Sequence, residues 1–284
     1  MTATSRPRFT VRAGLADADT TLFTGTPDHL VRPLQKWVDD TLLLSDPWSN
    51  AESIAEKICL RLRIAPVGGT NVPCIAALRE AFGLTLLDVV DEIVSEMKHG
   101  LLDTRDSLTR LLDAGGSAYC LNKQGGGLEE RVVPAVRDAV SEAIANAEGA
   151  SASGSAAEHL AAAWKAAYGV HPDPVRAYSE AIKAAESAAH AVIEPNNSKA
   201  TLGTMLRVIR NAPSKFTTAL STRAGKDPIT PVEVMMGALW EGQTSRHGTQ
   251  TGTVPESLEA ARAGVHLATT LVQWFTSGAV VRTS

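Results

Sequence analysis

The chain has 284 residues, 44% of them apolar and 20% charged, with Trp, Tyr and Phe together only 5%. That balance excludes a disordered chain, a collagen and a disulfide miniprotein, and its Ala-rich, aromatic-poor character favours close-packed helices over a sandwich of strands. With 27 Lys and Arg against 31 Asp and Glu, the formal net charge of -4 argues against general polyanion binding by the whole chain.

At roughly 100 to 200 residues per domain, the length predicts two domains. Residues 1–27 read as an irregular lead-in. From Asp28, Leu30, Leu34, Trp37 and Thr41 recur at helical spacing, with Asp28 as an N-cap. A helix over 51–64 ends before Pro66, and PVGGTNVP is a loop. Short helices follow over CIAALREAFG, LLDVVDEIVSEM and SLTRLLDAGG, the last stopped by Gly115 and Gly116. The pair around REAFGLTLLDVV has a helix-turn-helix outline, but its surroundings are acidic, unlike those of a DNA reader. Residues 117–133 break the pattern: apolar segments flank NKQGGG, which predicts a short β-hairpin with a loose loop. A helix runs from Pro134 to about Ala147, and GASASGSA then marks a linker and a boundary near residue 150.

The second half, 151–284, is more regular. Ser155 to Glu158 has the form of a capping box ahead of a helix carrying Leu160, Trp164 and Tyr168 and stopped by Gly169. Asp173 and Pro174 form an N-cap and an N1 proline, Thr230, Pro231 and Glu233 a third cap, and Thr253 to Glu256 a second T-x-x-E. Five helices and no strand predict an antiparallel helical bundle, so the whole chain is expected to be mainly all-α. Residues 1–150 carry 15 basic and 21 acidic groups and residues 151–284 carry 12 and 10, which directs any nucleic-acid contact to the second half.

Cys59, Cys74 and Cys120 are widely separated and read as buried free thiols. No apolar run reaches membrane-spanning length and no signal-type segment opens the chain, so a cytoplasmic protein without a membrane segment is expected. The seven histidines never fall at metal-ligand spacing, and no metal or cofactor is expected. His190 falls on a polar stripe and reads as exposed. The sharpest local feature is WEGQTSRHG. Arg246 and His247 there offer a planar fork of donors and an acid or base beside Gln243 and Ser245, a group suited to a phosphate. The same pair would also serve as cations at a helix C-terminus. Arg262 and His266 lie i, i+4 on the last helix, where they read as a solvated strip or as part of a site between helices.

Three segments, DPVRAYSEAIKAAESAAHAVI, TLGTMLRVI and LWEGQTSRHGTQ followed by SLEAARAGVHLATTLVQWF, resemble in order the HEPN-type bundles of the abortive-infection C-terminal group, over about residues 172–276. The resemblance implies a role in phage-host conflict, a homodimer formed through the bundle, and RNA at a site with an Arg and a His from each protomer. His247 matches the family histidine. The family's Arg stands four to six residues farther upstream, whereas here Arg246 is adjacent. Two readings follow from the resemblance. One is a bundle for dimerisation and for RNA or partner binding without catalysis, with the acidic first half sensing a protein partner. The other is a metal-independent endoribonuclease using His247 and Arg246, with Gln243, Ser245, Arg262, His266 and Arg207 on the substrate side.

Overall fold

The computed structural model describes residues 9–15, 22–44, 51–96, 102–122, 126–150, 153–223, 225–245 and 254–283. Among the described residues helix occupies 65% and the strands form two short pairs, so the fold is mainly all-α. Two compact units are resolved, Met1–Arg131 and Val132–Ser284.

The first unit contains a helical turn α1 (Phe9–Arg12), α2 (Asp28–Leu44), α3 (Ala51–Leu62), α4 (Pro73–Arg79), α5 (Gly83–Glu96) and α6 (Leu102–Ala114). The apolar stripe of α2, Leu30, Leu34, Val38 and Leu42, is fully buried and packs against α4, α5 and α6. Its Trp37 donates its indole N–H to Thr104 O at 3.0 Å. The expected hairpin is present: β1 (Tyr119–Leu121) pairs antiparallel with β2 (Leu128–Glu130). Gly127, at φ 155°, permits the turn, because a Cβ there would stand 2.6 Å from the Asp91 carboxylate that accepts the Leu128 N–H. Arg131 ties the hairpin to α6 by donating to Ser117 O at 2.7 Å and to Asp113 at 2.6 Å. The N-terminus of α4 has no capping side chain of its own. Glu52 of α3 accepts the Cys74 and Ile75 N–H groups at 2.7 and 3.2 Å instead. All three cysteines are buried and free, as their spacing predicts.

The second unit contains α7 (Pro134–Gly149), α8 (Ala156–Tyr168), α9 (Pro174–Ile193), α10 (Leu202–Asn211), α11 (Thr230–Glu241) and α12 (Leu258–Thr276). Its centre is α9, whose Ala177, Ala181, Ala184, Ala185, Ala188 and Ala189 are buried against α8 and α12. Small side chains let helix axes approach closely, which is how an aromatic-poor sequence fills a core at native density. Helices α8 and α9 run antiparallel, with Ser155 beside Ser187 and His159 beside Glu180.

Several expectations are corrected. The division falls at 131/132 rather than near 150, because Val140, Ala143, Ile144 and Ala147 of α7 join the second core. By that division the first unit holds 14 basic and 18 acidic residues and the second 13 of each, so the bundle is neutral rather than mildly basic. The second half also has strands: β3 (Phe216–Thr218) pairs antiparallel with β4 (Val280–Arg282). Asp173 caps α9 as expected, accepting the Arg176 N–H at 3.0 Å. Ser155 does not cap α8, since its hydroxyl lies 3.3 Å from that of Ser187. Thr230 is already helical, with Ile229 at the N-cap. The helix after T-x-x-E is capped by Ser257, which accepts the Ala260 N–H, and Glu256 lies before it.

Candidate functional site

The end of α11 and the start of α12 flank the Arg246 and His247 dipeptide. Buried Val232, Met236 and Leu239 hold α11 to the bundle, and the helix closes at Gly242, whose N–H donates to Ala238 O at 3.1 Å. A Cβ on Gly242 would collide with the Tyr178 hydroxyl, so a side chain there would force the ring to shift. Gln243 is half-buried beyond it. The Thr244 hydroxyl donates to Val254 O at 2.7 Å, and the Ser245 N–H and hydroxyl both donate to Glu256 Oε1, at 2.9 and 2.8 Å. Arg246 and His247 themselves lie outside the described residues. Ser245, expected on the substrate side, is thus engaged with an acidic residue of its own unit.

Arg262 and His266 are not a solvated strip. Both are half-buried on α12, turned toward Trp164 and Tyr168 of α8. The Tyr168 hydroxyl and His266 Nε2 share a 2.8 Å hydrogen bond. Arg262 stacks 4.6 Å over the Tyr168 ring and donates from Nε to Ala167 O at 3.3 Å. Burial, and then the positive charge of Arg262, push the His266 pKa below its ordinary value. The imidazole is therefore neutral at pH 7.

Arg207 belongs to a separate group. It is exposed on α10 and, after the hydrogen bonds from Thr204 and Asn197, contributes to holding the Glu194 carboxyl below the usual carboxylate range. His190, expected to be exposed, is half-buried in that group and donates from Nε2 to Asn197 O at 2.9 Å. The residues assigned to the substrate side are thus held in three groups, one at Ser245, one at Tyr168 and one at Glu194.

No family model, curated protein or solved structure matches the chain.

Chemically, the Tyr168, Arg262 and His266 group joins two helices rather than presenting an acid and a base to solvent. Sequence reasoning missed Tyr168 and Trp164, although their i, i+4 spacing on an Ala-rich helix, four residues apart like Arg262 and His266, was available as a signal. It also missed Glu256 by assigning it to a helix cap. Among the described residues, no group of three or more His, Cys, Asp or Glu could hold a metal ion, and no helix is long and apolar enough to cross a membrane. In the first unit an open hollow of about 870 Å³ is lined by Arg32, Gln35, Lys36 and Asp39 of α2 and Arg79 of α4. Its charges are mixed, with Arg79 3.7 Å from Asp39, and it contains no nucleophile-base pair.

Proposed function

We propose that this chain is a phage-host conflict protein whose second unit is a HEPN-like bundle for dimerisation and for RNA or protein-partner binding, without catalysis of its own. The observation that supports the non-catalytic reading is the engagement of Arg262 and His266 with Tyr168, which commits both side chains to the seam between α8 and α12. The even charge of the unit points the same way, because binding would rest on local contacts rather than on a broad basic face. Light scattering on the purified chain should report a dimer at micromolar concentration, with RNA left intact in EDTA at any salt. A monomer at that concentration counts against the proposal, since a HEPN-type site is shared by two bundles.

A second reading, a metal-independent endoribonuclease, is favoured by one feature. Ser245, which directly precedes Arg246 in the sequence, is anchored by Glu256. In this reading His247 is the acid or base and Arg246 steadies charge developing on phosphate. Cleavage of RNA in EDTA that disappears in His247→Ala supports it; cleavage indifferent to that change removes His247 from the site.

A further inference from the structure

Cys59 and Cys74 stand 15 positions apart in the chain and meet in the first unit, Cys59 in the last turn of α3 and Cys74 on α4. Both are buried, at 3% and 6% exposed. The Cys59 thiol lies 3.8 Å from Cys74 O, and the two thiols hydrogen-bond to each other. Glu52 completes the group. Its carboxylate accepts the Cys74 N–H at 2.7 Å and the Ile75 N–H at 3.2 Å, and it also accepts the Cys74 thiol. A proton acceptor therefore touches one of two adjacent thiols. Burial above all pushes both thiol pKa values up, that of Cys59 to about 12, so both sulfurs are protonated at rest at pH 7. Cys74 is the more exposed of the two and the one in contact with the carboxylate, which makes it the first to react.

We propose that Cys59 and Cys74 are a peroxide-oxidisable dithiol, with Cys74 the attacking sulfur, Glu52 its proton acceptor and Cys59 the resolving thiol. A hydroperoxide is small enough for thiols this buried. Cys74 passes its proton to Glu52 as its sulfur attacks a peroxide oxygen and the O–O bond breaks. The leaving hydroxide takes that proton and departs as water, and Cys74 is left as a sulfenic acid. The Cys59 sulfur then attacks the Cys74 sulfur, its proton leaves with the hydroxyl as a second water, and the S–S bond closes. Two thiols and one hydrogen peroxide thus give one disulfide and two waters, the cysteines losing two electrons and the peroxide gaining them. Thiols already in hydrogen-bond contact have only to close to the about 2 Å of an S–S bond. The disulfide would fasten α4, which carries Arg79 on the lip of the hollow, to α3 and close the loop that holds the exposed Gly68 and Gly69.

The test treats the full chain with hydrogen peroxide in native buffer, then unfolds it in urea with iodoacetamide and digests it without reductant. The peptide map should show Cys59 linked to Cys74, a link that dithiothreitol removes, and Cys120 alkylated. In Cys59→Ser the Cys74 sulfenic acid has no resolving partner and should be labelled by dimedone, whereas Cys74→Ser should leave Cys59 unlabelled. Glu52→Gln, which cannot take the proton, should slow formation of the link by about ten-fold or more. A wild-type rate in Glu52→Gln overturns the role of Glu52. Recovery of Cys59 and Cys74 both alkylated after peroxide, or disulfides to Cys120 in place of the 59 to 74 link, overturns the dithiol itself, and the wild-type map decides this even where a serine variant does not fold.

Discussion

Tyr168 and His266, 98 residues apart in the chain, meet through a 2.8 Å hydrogen bond that joins α8 to α12 under the Arg262 guanidinium. The bond pairs the buried Tyr168 hydroxyl with the half-buried imidazole in an Ala-rich seam. Tyr168→Phe leaves the imidazole nitrogen without its partner and should cost about 1–3 kcal/mol in urea unfolding. Loss of under 0.3 kcal/mol would place the bond outside the stabilising contacts.

The burial of His266 and the neighbouring Arg262 charge set a pH dependence. His266 has a folded pKa below the ordinary 6.5, so between the folded and unfolded values the unfolded chain binds more protons. The stabilising contribution of the neutral imidazole is complete above 6.5 and is lost as pH falls through that value toward the folded pKa. In NMR titration the His266 ring should protonate below 6.5. His266→Gln should flatten the fall of Tm between pH 7 and pH 5.

Glu180 titrates in the opposite sense. Burial alone would raise its pKa, but the hydrogen bonds from Lys183 at 2.8 Å and His159 at 2.6 Å outweigh it and hold the carboxyl below its ordinary 4.5. Its contribution is present above 4.5 and disappears as pH falls through the depressed folded value. Glu180→Gln should therefore reduce stability at pH 7 and make little difference at pH 2. An equal loss at both values would show that the ionised state does not matter.

The caps differ in a measurable way. Asp173→Ala and Ser257→Ala each remove a side-chain acceptor from a helix N-terminus and should cost about 0.5–2 kcal/mol. Ser155→Ala should cost less than either, because the Ser155 hydroxyl faces Ser187 and not the first turn of α8. Chemical denaturation of the three variants side by side decides the order.

Tyr178 provides a test of close packing. Gly264→Ala inserts a methyl 3.0 Å from the Tyr178 ring, and Gly242→Ala one that collides with its hydroxyl. Each should cost about 1–3 kcal/mol. Tyr178→Phe should relieve Gly242→Ala and not Gly264→Ala, since only the first clash involves the hydroxyl. A double-mutant cycle with equal coupling for the two pairs would contradict that geometry.

Much of the helical framework follows from local rules in the sequence. The three-to-four spacing of Leu30, Leu34 and Trp37, the Asp173 and Pro174 start, the Gly115 and Gly116 stop and the Gly-rich turn inside 117–133 all act within one or two helical turns or one hairpin. Their physics is therefore readable from neighbours in the chain.

Tertiary structure decided what depends on distant partners. Strands β3 and β4 are three residues each, and only their pairing across the fold distinguishes them from loop. Glu52 caps a helix other than its own, and α7 belongs to the second unit because its apolar face packs on α8 and α12. At the candidate site, the Arg246 and His247 dipeptide was legible as chemistry, whereas the burial of Glu256 and its hold on Ser245 were not. A Thr-x-x-Glu pattern promises a cap by sequence spacing, but a carboxylate bonds to whichever donors the fold brings to it, and here those belong to a residue eleven positions upstream.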